Sequence, residues 1–403
     1  MNLTVPQKRL GPRAFFASVV AVYLIQILAI DMYAPALPTM QVELGVTPAE
    51  LNSTMFAFLL ASTIAMFFSG PISDRFGRKR TFLTGCILFT VGSAGSCMSD
   101  TVGLLVVFRV IEALGMGTSA TISNALVKDS FEGEDLKLTM TLLQSLIIIG
   151  SIAAPFMGSF AVEVVGWRGV FALLSVGGGV TVLLSALISE TYRAPEDASL
   201  AQTVGDMLCI AKSLVKEKGF TALACFIGVA GIPFFAFIAV ASYIFIDYFE
   251  MSYLDYSLIY AATCVVNLVA PYVYLKMQKR FDTPTIMRIC IVLTGVSFAA
   301  MAFVGDASPW GICVGFLPYA LAEGIARPAA YLVLLEQPEE NVGTASAFGN
   351  FAYGGITSFA TVLATLNWPT FVFALVVLMG ASAAGMLALY AAGHGGWTEA
   401  ARR

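Results

Sequence analysis

The sequence predicts an all-α polytopic membrane protein with twelve transmembrane helices in two pseudo-symmetric six-helix bundles. Three observations carry that prediction. Hydrophobic residues make up 58% of the 403 and charged residues only 12%, against roughly 45–50% and about 25% in ordinary soluble domains. The mean hydropathy of +0.83 comes from many separated apolar runs, which excludes a soluble domain on a single anchor. The Lys and Arg residues gather on alternate connections between those runs, the asymmetry that sets orientation in a bilayer.

At about 20 apolar residues per span, helices are expected near 14–38, 51–72, 81–98, 102–127, 138–162, 167–189, 220–246, 255–277, 284–304, 309–335, 342–366 and 368–392. Lys8, Arg9 and Arg13 precede the run Ala14 to Ile30 in the manner of a signal peptide, with Ala34-Pro35-Ala36 as a poor cleavage site. The run is long for such a leader and more spans follow, so it reads as an uncleaved first helix. Strand signals are absent, and the runs are too long for barrel strands that alternate over about 10 residues. The 7 cysteines, Cys86, Cys97, Cys209, Cys225, Cys264, Cys290 and Cys313, show no CxxC spacing. They imply no disulfide framework, zinc site or redox pair.

With the N-terminus placed inside, nearly all cations share one face. Lys8, Arg9, Arg13, Arg75, Arg78, Lys79, Arg80, Lys128, Lys137, Arg193, Lys212, Lys216, Lys218, Lys276, Lys279, Arg280, Arg288, Arg402 and Arg403 fall at cytoplasmic ends or loops. Arg168 falls outside, while Arg109 and Arg327 lie within spans. The outer loops carry Glu43, Glu50, Asp100, Asp247, Glu250, Asp255 and Asp306. A misplaced helix would scatter these charges over both faces, so the layout supports an even count with both termini cytoplasmic.

The longest polar connection, Thr191 to Gly219, divides the spans six and six. The expected organisation is an N-terminal bundle at 1–190, a cytoplasmic linker at 191–219 with a short amphipathic helix from Ser199 to Val215, and a C-terminal bundle at 220–403. The halves echo each other: Arg75-Phe76 recurs as Arg280-Phe281, and Gly166-Trp167-Arg168-Gly169-Val170-Phe171 as Asn367-Trp368-Pro369-Thr370-Phe371-Val372. Repetition at half the chain length points to related bundles with a binding site near the midplane.

Charges inside spans are few, and each costs about 2.5–3.5 kcal/mol at a helix centre unless compensated. Asp31 and Arg109 lie at matching depth, both roughly 11 Å below the outer boundary at 1.5 Å per residue. Glu112 follows Arg109 by one helical turn and shares its face, so one cation has two candidate carboxylates. Desolvation raises the proton affinity of a buried carboxylate and a neighbouring Arg lowers it, so moving the Arg or a cationic ligand binds or releases a proton. A static ion pair between the first and fourth helices is the alternative. The single histidine, His394, lies at the polar C-terminal end, which leaves any proton to carboxylates.

Glu323 and Arg327 share a face of the tenth helix. They form either an internal ion pair with Arg327 snorkelling or a contact to a polar or charged substrate. Tyr23, Gln26, Tyr33, Gln144, Tyr243 and Asn267 are candidate cavity-lining groups, each equally open to a packing role. Asp31-Met32-Tyr33-Ala34-Pro35-Ala36-Leu37-Pro38 is expected to close the first helix, and Gly150 to Gly158, with Pro155, to interrupt the fifth. Gly177-Gly178-Gly179 lies inside a span with no preceding strand and is no nucleotide loop. HExxH and GxSxG are absent, so an integral membrane enzyme has no support. The charge layout gives none to nucleic-acid binding.

The segment Gly70-Pro71-Ile72-Ser73-Asp74-Arg75-Phe76-Gly77-Arg78-Lys79-Arg80, with Arg109 and Gly115, Gly150, Pro155 and Gly158, and Asp31, Pro35 and Pro38, resembles the major facilitator superfamily over nearly the whole chain. The resemblance is in particular to its twelve-helix drug:proton antiporters of the Bcr/CflA type. It implies that Gly70, Asp74, Arg75, Gly77, Arg78 and Lys79 help lock a cytoplasmic gate. Asp74 would face a helix N-terminus in the other half, and an Arg of this loop would bond an acid after the fourth helix, where Asp129 stands. A turn serving topology alone is the alternative. It implies that Asp31 and Arg109 act in proton coupling and that Gly150, Pro155 and Gly158 favour export. Ala154 and Ser159 stand where Gly is common, and the Glu323 and Arg327 pair is not part of the group's pattern.

The function implied is proton-coupled efflux of small lipophilic or amphiphilic compounds by rocking of the two bundles around a central site. A proton-coupled transporter of a polar metabolite, by symport or export with Glu323 and Arg327 in the cavity, is the alternative. The resemblance further implies a multi-pass monomer of the bacterial cytoplasmic membrane. Its partners would be a small-molecule substrate, protons and the lipid bilayer, with no cofactor, metal or nucleic acid.

Overall fold

The computed structural model describes residues 3–192 and 200–400, and the regular elements among them are helices. Arg193, Ser199, Arg402 and Arg403 lie outside the described residues. The first span comprises α1 (Pro12–Asp31), a 3-10 turn (Ala34–Ala36) and α2 (Leu37–Leu44). The helix expected to close at Pro38 instead resumes there. Pro38 occupies the first turn of α2, where a missing N–H leaves no bond unmade. Gly45, at φ 64, ends α2 in the left-handed conformation.

The second span, α3 (Pro48–Phe76), starts on a capping box between Thr47 and Glu50. The third is α4 (Arg78–Cys97) and the fourth α5 (Val102–Ser130), whose first turn is capped by Thr101. Only Gly77 (φ 93, ψ 148) separates α3 from α4, so the basic segment expected in a turn is helical on both sides. Arg75 sits in the last turn of α3, where the helix dipole favours a cation. Arg78, Lys79 and Arg80 open α4, where it does not.

The fifth and sixth spans lie in one run, α6 (Gly133–Leu187), broken at Gly166 (φ 71, ψ 177). Pro155, expected to interrupt the fifth span, lies inside the helix. A proline removes one hydrogen bond but keeps a helical φ; the left-handed φ of Gly166 is what redirects the chain.

Helix α7 (Leu200–Lys216) is the amphipathic linker helix and buries Met207, Ala211 and Leu214 along one face. The remaining spans are α8 (Lys218–Ser242), extended by a π-helical turn (Tyr243–Tyr248), α9 (Tyr253–Met277), α10 (Thr283–Val304), α11 (Pro309–Leu334), α12 (Glu339–Leu363) and α13 (Phe371–Ala400). By length and composition, 8 helices among the described residues can cross a membrane, the 55-residue α6 run among them. Its two limbs and the more polar α4, α11 and α12 complete the twelve.

The chain forms two compact units, Met1–Asp206 and Met207–Arg403. Within the first, α5 packs on α3 and α4, α6 on α1 and α4, and α1 on α5. Within the second, α11 packs on α9 and α10, α8 on α12 and α13, α13 on α10, and α8 on α11. Helix for helix these are the same pairings, which is the structural content of the half-length repeat.

Candidate functional site

Helices α4 and α5 approach closely because glycines line their contact: a Cβ on Gly92 would collide with the backbone of Glu112, and one on Gly115 with that of Phe89. This brings Ser93 Oγ to 2.7 Å from Glu112 Oε1, to which it donates. The other carboxylate oxygen, Oε2, accepts from Arg109 Nη1 at 2.9 Å. Arg109 and Glu112 are 1% and 0% exposed, so the pair is fully inside the unit. Arg109 Nη1 also donates to Ala29 O at 3.3 Å, two residues before Asp31. Depth alone leaves open whether the first and fourth helices touch, and here they do.

Ring faces complete the shell of this cation. Arg109 Cζ lies 3.9 Å from the ring centre of Phe58, 4.6 Å from Tyr33 and 5.7 Å from Phe171, and its Nε is buried without a hydrogen-bond partner. Aromatic quadrupoles stabilise a desolvated guanidinium without taking its protons. Tyr33 is fixed in turn. Thr54 Oγ1 donates to Leu51 O at 2.7 Å, so the 2.6 Å contact between Tyr33 OH and Thr54 Oγ1 has the tyrosine as donor.

Asp31 is the last residue of α1 and is 6% exposed. The fifth span runs against it: a Cβ on Gly158 would strike the backbone of Met32, and one on Gly150 would lie 3.0 Å from Leu24 Cδ2. The small residues at these positions let α6 ride on the backbone of α1 beside Asp31.

In the second unit, Tyr353 OH of α12 donates to Glu323 Oε1 of α11 at 3.1 Å. The Asn267 amide of α9, its nitrogen turned toward the acceptors, donates to Glu323 Oε2 at 3.1 Å and to Ala320 O at 2.9 Å. Arg327 stacks its guanidinium 4.6 Å from the centre of the Tyr353 ring. One tyrosine therefore links both members of the pair.

At the Gly77 end of the first unit, Arg78 Nε pairs with Asp129 Oδ2 at 3.1 Å, and Arg78 also binds Asp74 and Ser73. Glu190, which follows the sixth span, accepts from Arg78 N at 2.7 Å and Lys79 N at 3.2 Å. An anion thus stands on the N-terminus of α4, whose own first turn carries three cations. Lys79 Nζ donates to Ala186 O at 2.9 Å. At the opposite end, Arg168 pairs with Glu43 at 3.0 Å and Asp100 at 3.2 Å.

The sequence matches the Major Facilitator Superfamily over residues 19–361. The chain belongs to the major facilitator superfamily. Multidrug resistance protein D of Escherichia coli is 26% identical over 345 residues, covering 84% of this chain and 84% of that protein. A bicyclomycin resistance protein homolog of Haemophilus influenzae is 23% identical over 339 residues, covering 81% and 83%. Among solved structures, a peptide transporter POT in complex with sulfate superposes with a TM-score of 0.75 at 16% identity over 96% of both chains, a likeness of fold. This superfamily member is a multi-pass membrane transporter.

Other residues singled out in the superfamily chain fall in varied surroundings. Gln26 is fully buried with Nε2 on Cys86 Sγ at 3.7 Å, and Tyr33 is fully buried over Arg109. Tyr243 is buried with its ring 5.4 Å from Phe371. Tyr23 and Asn267 are half-buried and Gln144 is exposed. A Cβ on Gly70 would meet nothing within 4 Å, whereas one on Gly77 would collide with Glu190. Sequence reasoning missed Ser93, Phe58, Tyr353 and Glu190. A short hydroxyl or a ring in an apolar helix carries no signal of its own; Glu190 was visible only as one more charge before the linker.

Proposed function

We propose that this transporter exports small lipophilic or amphiphilic compounds across the cytoplasmic membrane in exchange for protons, with Asp31, Arg109 and Glu112 as the coupling residues. The observation that carries the reading is the Arg109 and Glu112 pair, buried at 2.9 Å and capped by Ser93. A proton arriving at Glu112 cancels the pair, and Arg109, already on Ala29 O, turns toward Asp31. Ser93 then rotates its hydroxyl to accept from the new acid instead of donating. The move changes the packing of α5 on α1, and Gly158 couples α6 to the same backbone. The names of the resistance relatives favour a drug-like cargo and efflux. Gly150, Pro155 and Gly158 serve as the export stretch, and Gly70, Asp74, Arg75, Gly77, Arg78, Lys79 and Asp129 as the cytoplasmic gate. The chain works as a monomer with both termini in the cytoplasm.

Transport of chloramphenicol and of a lipophilic cationic dye in proteoliposomes, with and without a pH gradient, tests this. Exchange is expected to follow the gradient in the wild type and to lose that dependence in Asp31→Asn and Glu112→Gln. Equal wild-type rates with the gradient collapsed would refute proton coupling. Movement of polar metabolites alone would refute the cargo.

A further inference from the structure

Glu112 and Glu323 sit in units with matching helix pairings, on α5 and α11, the fourth span of each. Each accepts a hydrogen bond from a hydroxyl on another helix, Ser93 Oγ of α4 at 2.7 Å and Tyr353 OH of α12 at 3.1 Å. Each has an arginine on its own helix face, Arg109 or Arg327, stacked on an aromatic ring. The sequences around the two glutamates do not align, and the partners come from different helices, α4 and α3 for Glu112 and α12 alone for Glu323; what recurs is the set of acid, hydroxyl, guanidinium and ring. We infer that Glu323 is a second proton-binding carboxylate, held by the same kinds of group as Glu112 and serving the same exchange. The inference rests on the proton-coupled reading above.

A hydroxyl partner is what gives this arrangement its chemistry. A buried carboxylate needs donors, and a buried carboxylic acid needs an acceptor for its own proton; an N–H partner meets only the first need, while a hydroxyl meets both by rotating. Tyr353 donates to Glu323 when the acid is ionised and accepts from it when protonated. The Asn267 amide keeps the second oxygen satisfied in both states. The groups facing Glu323 are Arg327, Tyr319 and Tyr353; Asn267 of α9 brings no charge. Arg327 is the lone charge among them, and it rests on the ring of the tyrosine that changes role. Protonation of Glu323 is therefore felt by Arg327 through Tyr353. Tyr319 is committed elsewhere: its hydroxyl donates to Ala230 O at 2.7 Å and accepts from Phe234 N at 3.0 Å, next to Pro233 in α8.

Infrared difference spectroscopy of the purified chain in lipid nanodiscs, titrated with acid, reads carboxylic-acid carbonyl bands without requiring transport. One band is expected to vanish in Glu112→Gln and a different one in Glu323→Gln, and Tyr353→Phe should shift only the second. In proteoliposomes at static head, Glu323→Gln is expected to halve the dependence of the drug gradient on the imposed pH gradient. A Glu323→Gln spectrum with every wild-type band overturns the inference. So does loss of substrate binding in that variant with its bands unchanged, which would make Glu323 a ligand contact. Wild-type exchange indifferent to pH would sink the proton-coupled reading, yet the bands would still report whether Glu323 titrates.

Discussion

Ser93 donates to the one oxygen of Glu112 that Arg109 leaves free, across the glycine-lined contact of α4 and α5. A hydrogen bond to a charged group is worth about 1.5–3 kcal/mol. Ser93→Ala is expected to keep the fold and to slow pH-driven exchange at least tenfold, measured as initial rates in proteoliposomes. An unchanged rate would remove Ser93 from the coupling chemistry.

Breaking the buried pair on one side is the harsher change. Glu112→Gln leaves the Arg109 guanidinium without the carboxylate that accepts from its Nη1, and such losses cost about 3–5 kcal/mol. A clear drop in the melting temperature in detergent is expected. The double variant Arg109→Met with Glu112→Leu is expected to recover most of that stability, since apolar replacement of a buried pair is often neutral. It is expected to transport without responding to the pH gradient. Recovery of both properties would make the pair a structural strut.

The aromatic shell separates ring from hydroxyl. Phe58 lies 3.9 Å from Arg109 Cζ, and a desolvated cation–π contact contributes about 2 kcal/mol. Phe58→Leu is expected to lower both thermal stability and exchange. Tyr33→Phe keeps the ring over Arg109 and gives up only the bond to Thr54, so its effect on exchange is expected to be smaller. Parallel melting and transport curves check the order; the reverse order would deny the rings their role.

The helical class, the spans and the half-length repeat were legible because each rests on a pattern many residues long. Apolar runs and charge placement repeat often enough that one ambiguous residue does not matter. What failed was local: Pro38 was read as closing the first helix and Pro155 as interrupting the fifth, but proline in a first turn or within a packed span leaves φ helical. The candidate site was half legible. Arg109 with Glu112 and Glu323 with Arg327 announce themselves as charges one turn apart in apolar helices. Their hydroxyl and ring partners come from other helices, and no spacing within one segment encodes that meeting. Glu190 was hidden for the same reason, being far from Gly77 in sequence and in contact with it in space.

Gly77 and Glu190 offer a test in which two causes of strain can be pulled apart. Gly77 adopts φ 93 and ψ 148, a region open essentially to glycine at a cost of order 1–3 kcal/mol for other residues. A Cβ there would also collide with the Glu190 carboxylate. Gly77→Ala therefore suffers twice, from the backbone and from displacing the anion that caps α4. Glu190→Ala alone removes the acceptor of Arg78 N and Lys79 N and leaves three cations on a helix N-terminus, a loss of about 0.5–2 kcal/mol by analogy with other caps. The double variant has already lost the cap and no longer meets the collision, so it pays the backbone cost once more but not the displacement. Melting of the four proteins should thus show a positive coupling, the double variant being more stable than the sum of the singles predicts. Strict additivity would mean that Glu190 does not hold the α3–α4 junction.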